Sequence, residues 1–197
     1  MKPSTLIQLS LIAGIVIVSL LAFLLIDNNQ SDAGGEDGKL GGDFRLTGIN
    51  GEVSLRDFEG SVVVLYFGFL NCPKVCPTSM GMVTKSLNLL SEQELKQVQA
   101  ILISVDPERD TYQALANYTR QFHPNILGIT GTHQQIDAVK NNYAAYAEII
   151  ESQSADSAYA FRHTSRYFVI NQQGKLVDAM RHSTTANELV ARIRTLI

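Results

Sequence analysis

Cys72 and Cys76 are the two cysteines of a 197-residue chain, and Pro73, Lys74 and Val75 separate them. Upstream lies the apolar run Val62 to Leu70 (VVVLYFGFL), which reads as a buried strand; a helix-patterned segment opens downstream at Thr78. Residues at i and i+4 of a helical turn share a face, so the two sulfurs can meet each other or meet one ion. Pro77 disfavours helical geometry at Cys76, which predicts an irregular first turn. A helix N-terminus favours the thiolate, and Lys74 pushes the same way. Three chemistries follow: a structural disulfide, a redox dithiol, or part of a metal site. The disulfide has the least to recommend it, because closing so short a loop removes little unfolded-chain entropy.

The elements that must position these sulfurs can be read from pattern. Leu6 to Ile26 is uncharged and almost wholly apolar, and its 21 residues would span about 32 Å as a helix. No small-x-small cleavage site follows it, so it reads as an uncleaved transmembrane anchor with residues 1–5 in the cytoplasm. Residues 27–43 hold five glycines and five acidic residues and read as a flexible tether. Residues 44–197 then form the folded domain, exported to the periplasm of a bacterial inner membrane. Its pattern is an N-terminal hairpin about Asn50-Gly51, strand Val62 to Leu70, helix Thr78 to Leu90 (Met82, Leu87 and Leu90 at helical spacing) and strand Val98 to Val105. A helix capped by Asp110 and Gln113, strand Ile126 to Ile129 and a helix capped by Thr132 and Gln135 come next. A second hairpin (Thr164 to Ile170, Lys175 to Met180) and a helix capped by Thr185 and Glu188 close the chain. Alternation in the first half demands parallel strands. With a dithiol after the first core strand and a ββα ending, the order describes an α/β, thioredoxin-like fold.

In that fold the strand beginning near Thr164 runs beside the dithiol loop. Reductases of this type carry two residues between their cysteines and a cis-proline ahead of that strand. This chain has three intervening residues, and its prolines lie at 3, 73, 77, 107 and 124. His163 stands where the proline would be. His123, His133 and His182 read as solvated or capping residues; His163 has a positional argument for ligation. Cys72, Cys76 and His163 are therefore the metal-ligand candidates, with the two cysteines redox-active if the chain is a reductase. Two thiolates and an imidazole suit Cu(I) and can hold Cu(II), whereas structural zinc takes four protein ligands. Net charge of −3 provides no footprint for nucleic acid.

These residues resemble the Sco/SenC family of thioredoxin-like copper chaperones. Gly68-Phe69-Leu70-Asn71-Cys72-Pro73-Lys74-Val75-Cys76-Pro77-Thr78 is similar to the family's GFTxCPxVCPT segment, and Ser104 to Thr111 to its SVDPxRDT segment. His163-Thr164 with Tyr167 and Asn171 to Gly174 resembles its DHxxxxY…DxxG region. The resemblance implies copper bound by Cys72, Cys76 and His163, receipt from an upstream copper donor, and delivery to the CuA centre in subunit II of cytochrome c oxidase. It implies no enzyme activity as the main role. The rival readings are a thiol-disulfide reductase of the CuA-site cysteines and a copper or redox sensor. Two departures add positive charge near the site: Lys74 between the cysteines and Arg162 before the histidine, where the family often has acids.

Overall fold

A computed structural model describes residues 40–151 and 159–197. The anchor expected at Leu6 to Ile26 and most of the tether lie outside the described residues. Among the described residues no helix is long and apolar enough to cross a membrane.

β3 (Val62–Gly68) is buried along its whole length, as nine consecutive apolar or glycine residues require. It pairs in parallel with β4 (Val98–Ser104), which pairs in parallel with β5 (Ile126–Ile129). On its other side β3 pairs antiparallel with β8 (Arg166–Ile170), and β8 pairs with β9 (Leu176–Arg181). The five-stranded sheet thus runs β5-β4-β3-β8-β9, with three parallel strands and a closing antiparallel hairpin. The parallel first half and the antiparallel closing hairpin are those expected of a thioredoxin-like fold from the pattern. The hairpin of β1 (Arg45–Gly48) and β2 (Gly51–Ser54) also forms, and a Thr47–Thr130 bridge attaches it beyond β5. Gly51 sits at φ +115°, a conformation L side chains rarely adopt.

α1 (Val75–Asn88) follows β3, the short α2 (Glu92–Leu95) precedes β4, and α3 (Tyr112–Arg120) and α4 (His133–Asn142) flank β5. α5 (Ala186–Arg194) closes the chain with Leu189, Val190 and Ile193 buried. The capping boxes at Thr132/Gln135 and Thr185/Glu188 are present. Four local expectations change. α1 begins at Val75, so Cys76 and Pro77 are helical; proline is tolerated there because the first four N–H groups have no intrahelical partner. Its core face is Cys76, Ser79, Met80, Val83, Ser86 and Leu87, whereas Met82 is only partly buried. Thr111, not Asp110, caps α3, its hydroxyl accepting from Ala114 N–H. Asp110 is instead 1% exposed and tied to the dithiol loop.

The end of the presumed tether is also held. Gly41 N–H donates to Asn142 C=O, and Asp43 accepts from Phe44 N–H, Ser54 Oγ and Leu55 N–H. One hairpin was not anticipated: β6 (Ala147–Glu151) and β7 (Tyr159–His163) form a two-stranded ribbon apart from the main sheet.

Candidate metal centre

The site is built on the one described helix whose first turn lacks a side-chain cap. Serine or threonine caps α2, α3, α4 and α5, but the N-cap of α1 is Lys74, with no side-chain hydrogen bond and no acid in the first turn. A sulfur takes the cap's place: Cys76 N–H donates to Cys72 Sγ at 3.3 Å. The helix dipole and its free N–H groups therefore converge on the Cys72 thiolate. The loop before it is pinned from below, where Leu70 N–H donates to Asp110 Oδ2 at 2.9 Å and Ser104 Oγ donates to the same oxygen at 2.6 Å.

His163 arrives at the end of β7 rather than at the start of the following strand. Its Nε2 lies 3.6 Å from Cys76 Sγ. Nδ1 lies 3.1 Å from Thr164 C=O; a proton on Nδ1 donates to that carbonyl and leaves the Nε2 lone pair facing the sulfurs. Phe69 and Tyr66 meet the imidazole edge-on, at centroid distances of 5.7 and 6.1 Å. Cys72, Cys76 and His163 offer ligand atoms that all lie within 4.8 Å of one another. Donors about 2.0–2.3 Å from one ion sit roughly 3.5–4 Å apart, so a bound ion needs the widest pair to close by roughly 1 Å. The donor set and its spacing fit a soft cation.

The two thiols are electrostatically unequal. The hydrogen bond from Cys76 holds the Cys72 pKa down at about 4, against burial, with further help from His163 and the backbone N–H groups of Cys76 and Lys74. The same shared proton raises the pKa of Cys76, as do its burial and the nearby charges of Cys72 and Asp110. Cys72 is half-buried and Cys76 fully buried, so the reachable sulfur is also the ionised one. An ordinary thiol titrates near 8.5 and loses reactivity about tenfold per pH unit below that. A depressed pKa reverses this: the Cys72 thiolate persists above the folded-state value and is lost only as pH falls through it. Alkylation of Cys72 by iodoacetamide is expected to be nearly flat from pH 9 to about 5 and to halve near pH 4. Halving near pH 8 instead would refute the assignment.

Gly68 makes room for the buried sulfur. A Cβ there would meet Cys76 Sγ at 2.9 Å, Leu102 Cδ1 at 3.1 Å and Tyr66 Cε1 at 3.3 Å. Gly68→Ala should cost about 1–3 kcal/mol. By displacing Sγ it should also move the Cys72 alkylation midpoint toward the ordinary thiol range; an unmoved midpoint would show that the sulfur accommodates the methyl.

A family model described as SCO1/SenC matches residues 32–197. The chain belongs to the SCO1/SenC family. A SCO2-like protein of Rickettsia conorii is 32% identical over 157 residues, 79% of this chain and 76% of that protein. Among solved structures, Bradyrhizobium japonicum ScoI with copper bound has a TM-score of 0.72 at 32% identity and covers 80% of this chain and 99% of its own. Yeast Sco1 with copper bound has a TM-score of 0.71 at 30% identity, covering 80% and 87%.

Against this SCO1/SenC background, the chain's own departures take on definite positions. Arg162 neighbours His163 on a strand, so it lies on the opposite face of the ribbon, paired with Glu148 at 3.2 Å with both side chains well exposed. Its charge is thus matched away from the sulfurs. Lys74 is exposed and acts on the site through its backbone N–H. The other three histidines are engaged elsewhere. His123 is buried rather than solvated and takes the capping role, its ring accepting from Asn125 N–H just past α3; burial lowers its pKa. His133 pairs with Glu108 at 3.1 Å. His182 Nδ1 lies 3.1 Å from Ser79 Oγ, which also donates to Tyr66 Oη at 3.1 Å. Pattern reading missed Tyr66, Asp110 and Tyr118 as neighbours of the thiols. The charges of Cys76, Cys72 and Asp110 all help burial to raise the pKa of Tyr118. Tyr66 and Asp110 both lay in segments the sequence had marked out, Val62 to Leu70 and Ser104 to Thr111, but their approach to the thiols is a tertiary contact.

Proposed function

We propose that this chain carries copper on Cys72, Cys76 and His163 and hands it to the CuA centre in subunit II of cytochrome c oxidase. It would work from the periplasmic face of a bacterial inner membrane, anchored by Leu6 to Ile26. The observation that carries the reading is the convergence of two sulfurs and one imidazole within 4.8 Å, on a fold whose relatives were solved with copper bound. Sulfur and nitrogen donors select Cu(I) or Cu(II) over ions that seek carboxylates. With three protein donors, an acceptor's ligand can attach before the carrier's ligands leave, so the ion moves by stepwise exchange. Cys72 enters the complex already ionised, and Cys76 must release its proton. Affinity therefore falls as pH falls, with Cys76 the one thiol supplying a proton above about pH 5.

The test mixes the full reduced chain, in detergent and loaded with one equivalent of copper, with the apo CuA domain of subunit II. The expected result is copper appearing on the acceptor with its thiol count unchanged. Copper retained by the chain through the whole course would overturn delivery and leave a sensor. A second reading has its own support: an ionised, half-exposed Cys72 beside a buried Cys76 is the arrangement of attacking and resolving thiols. If the same mixture instead reduces an acceptor disulfide while Cys72 and Cys76 become oxidised, the reductase reading prevails.

A further inference from the structure

We propose that Arg109 is a positioning residue for His163, buckling the far end of the β6–β7 ribbon to the loop after β4. The reading rests on the metal site described above. An isolated two-stranded ribbon is marginal in water, and this one is partly exposed along most of its length, with Ile149 65% exposed. It nonetheless has to hold an imidazole against two sulfurs. Arg109 closes a three-residue ring at the start of β7. Its guanidinium lies over the Tyr159 ring, 3.7 Å from the centroid. Its Nη1 donates to Tyr159 C=O at 3.0 Å, and its Nε pairs with Asp106 Oδ2. Tyr159 Oη donates to the other oxygen of Asp106 at 3.0 Å. Asp106 is 1% exposed and is itself held by Ser104 Oγ, which accepts its N–H. The ring is therefore anchored at the end of β4, inside the main sheet's core.

Tyr159, Phe161 and His163 alternate onto one face of β7, the clamp at one end and the imidazole about 13 Å away at the other. An aromatic series links them: Tyr159 to Phe161 at 5.7 Å, Phe161 to Phe69 at 5.4 Å, and Phe69 to His163 at 5.7 Å. Phe69 also leads directly into the dithiol loop. Arg109 thus reaches the site through the strand and its ring stack. A planar fork that stacks and donates at once is something lysine does not reproduce.

The experiment uses the full chain in detergent, with Arg109→Gln and Arg109→Lys, and has two readouts. In the copper-free protein, hydrogen exchange of the β6–β7 amides should quicken about tenfold in both variants while β3 and β4 are unchanged. Copper affinity, measured by competition, should fall about tenfold, the low end of what an outer-sphere partner is worth. In a His163→Ala background Arg109→Gln should change affinity by less than about twofold, because a residue acting through His163 has nothing left to position. Equal losses in both backgrounds, uniformly faster exchange across the domain, or full rescue by lysine would overturn the proposal. Should Arg109→Gln fail to fold, Tyr159→Leu removes the ring and hydroxyl but keeps an apolar side chain at this half-buried position, and must give the same pattern. If the unaltered chain binds no copper, the metal reading fails, and the exchange readout still decides the clamp.

Discussion

His163→Ala is expected to weaken copper binding by more than about a hundredfold while leaving the fold intact. Outer-sphere partners alone are worth 10–100-fold, and His163 Nε2, 3.6 Å from Cys76 Sγ, is placed to be a direct ligand. Two thiolates remain in the variant, so Cu(I) should still associate, but the third donor that fixes geometry is gone. For Cu(II), the thiolate-to-copper absorption should shift or vanish. The imidazole is 9% exposed and lies at the end of a partly exposed ribbon, so its removal leaves no cavity at the centre of the core. Competition with a calibrated chelator at neutral pH, alongside a urea melt, separates binding from folding. Affinity within about threefold of the unaltered chain would end the three-ligand reading.

Phe67→Ala should do the converse, costing about 3–5 kcal/mol of stability with little change in copper affinity at temperatures where the domain is folded. Phe67 is fully buried in the central strand and meets Tyr143 and Phe168 edge-on at 6.2 and 5.6 Å. Its strand neighbours Tyr66 and Gly68 point the other way, toward His163 and Cys76. One strand thus supports the core on one face and the site on the other. Against the roughly 5–15 kcal/mol that stabilises a typical domain, the loss is a large share. It would appear as a lower urea midpoint at unchanged slope; a midpoint shift worth less than about 1 kcal/mol would mean the core refills around the missing ring.

The paired outcome expected from Phe67 and Gly68 also shows where local pattern is informative. β3, β4 and β5 were legible because each is a run of β-branched and aliphatic residues that must be covered on both faces. The boxes at Thr132 and Thr185 were legible because a cap and its partner lie three residues apart. The β6–β7 ribbon was not. AEIIE and YAFRH have no clear alternation against a core, and their anchors are Arg109 and Phe69, 50 and 92 residues from Tyr159 and Phe161 respectively. The role of Asp110 was misread for a related reason. An acid beside a helix start looks like a cap, but the fold gives its buried oxygen other partners: Ser104 Oγ and the Leu70 loop, 40 residues earlier.

By itself the sequence determined the thioredoxin-like order of elements along the chain and the sulfur pair at a helix start, and the fold so inferred singled out His163 among four histidines. The first two follow from periodicity and from the chemistry of a few residue types, which are local properties. Tertiary structure alone decided that Cys72 is the ionised sulfur, that it serves as the missing cap of α1, and that His163 rides on a ribbon clamped at its other end. Each of these depends on which groups meet across long stretches of chain, and no spacing rule encodes a contact that folding has yet to make.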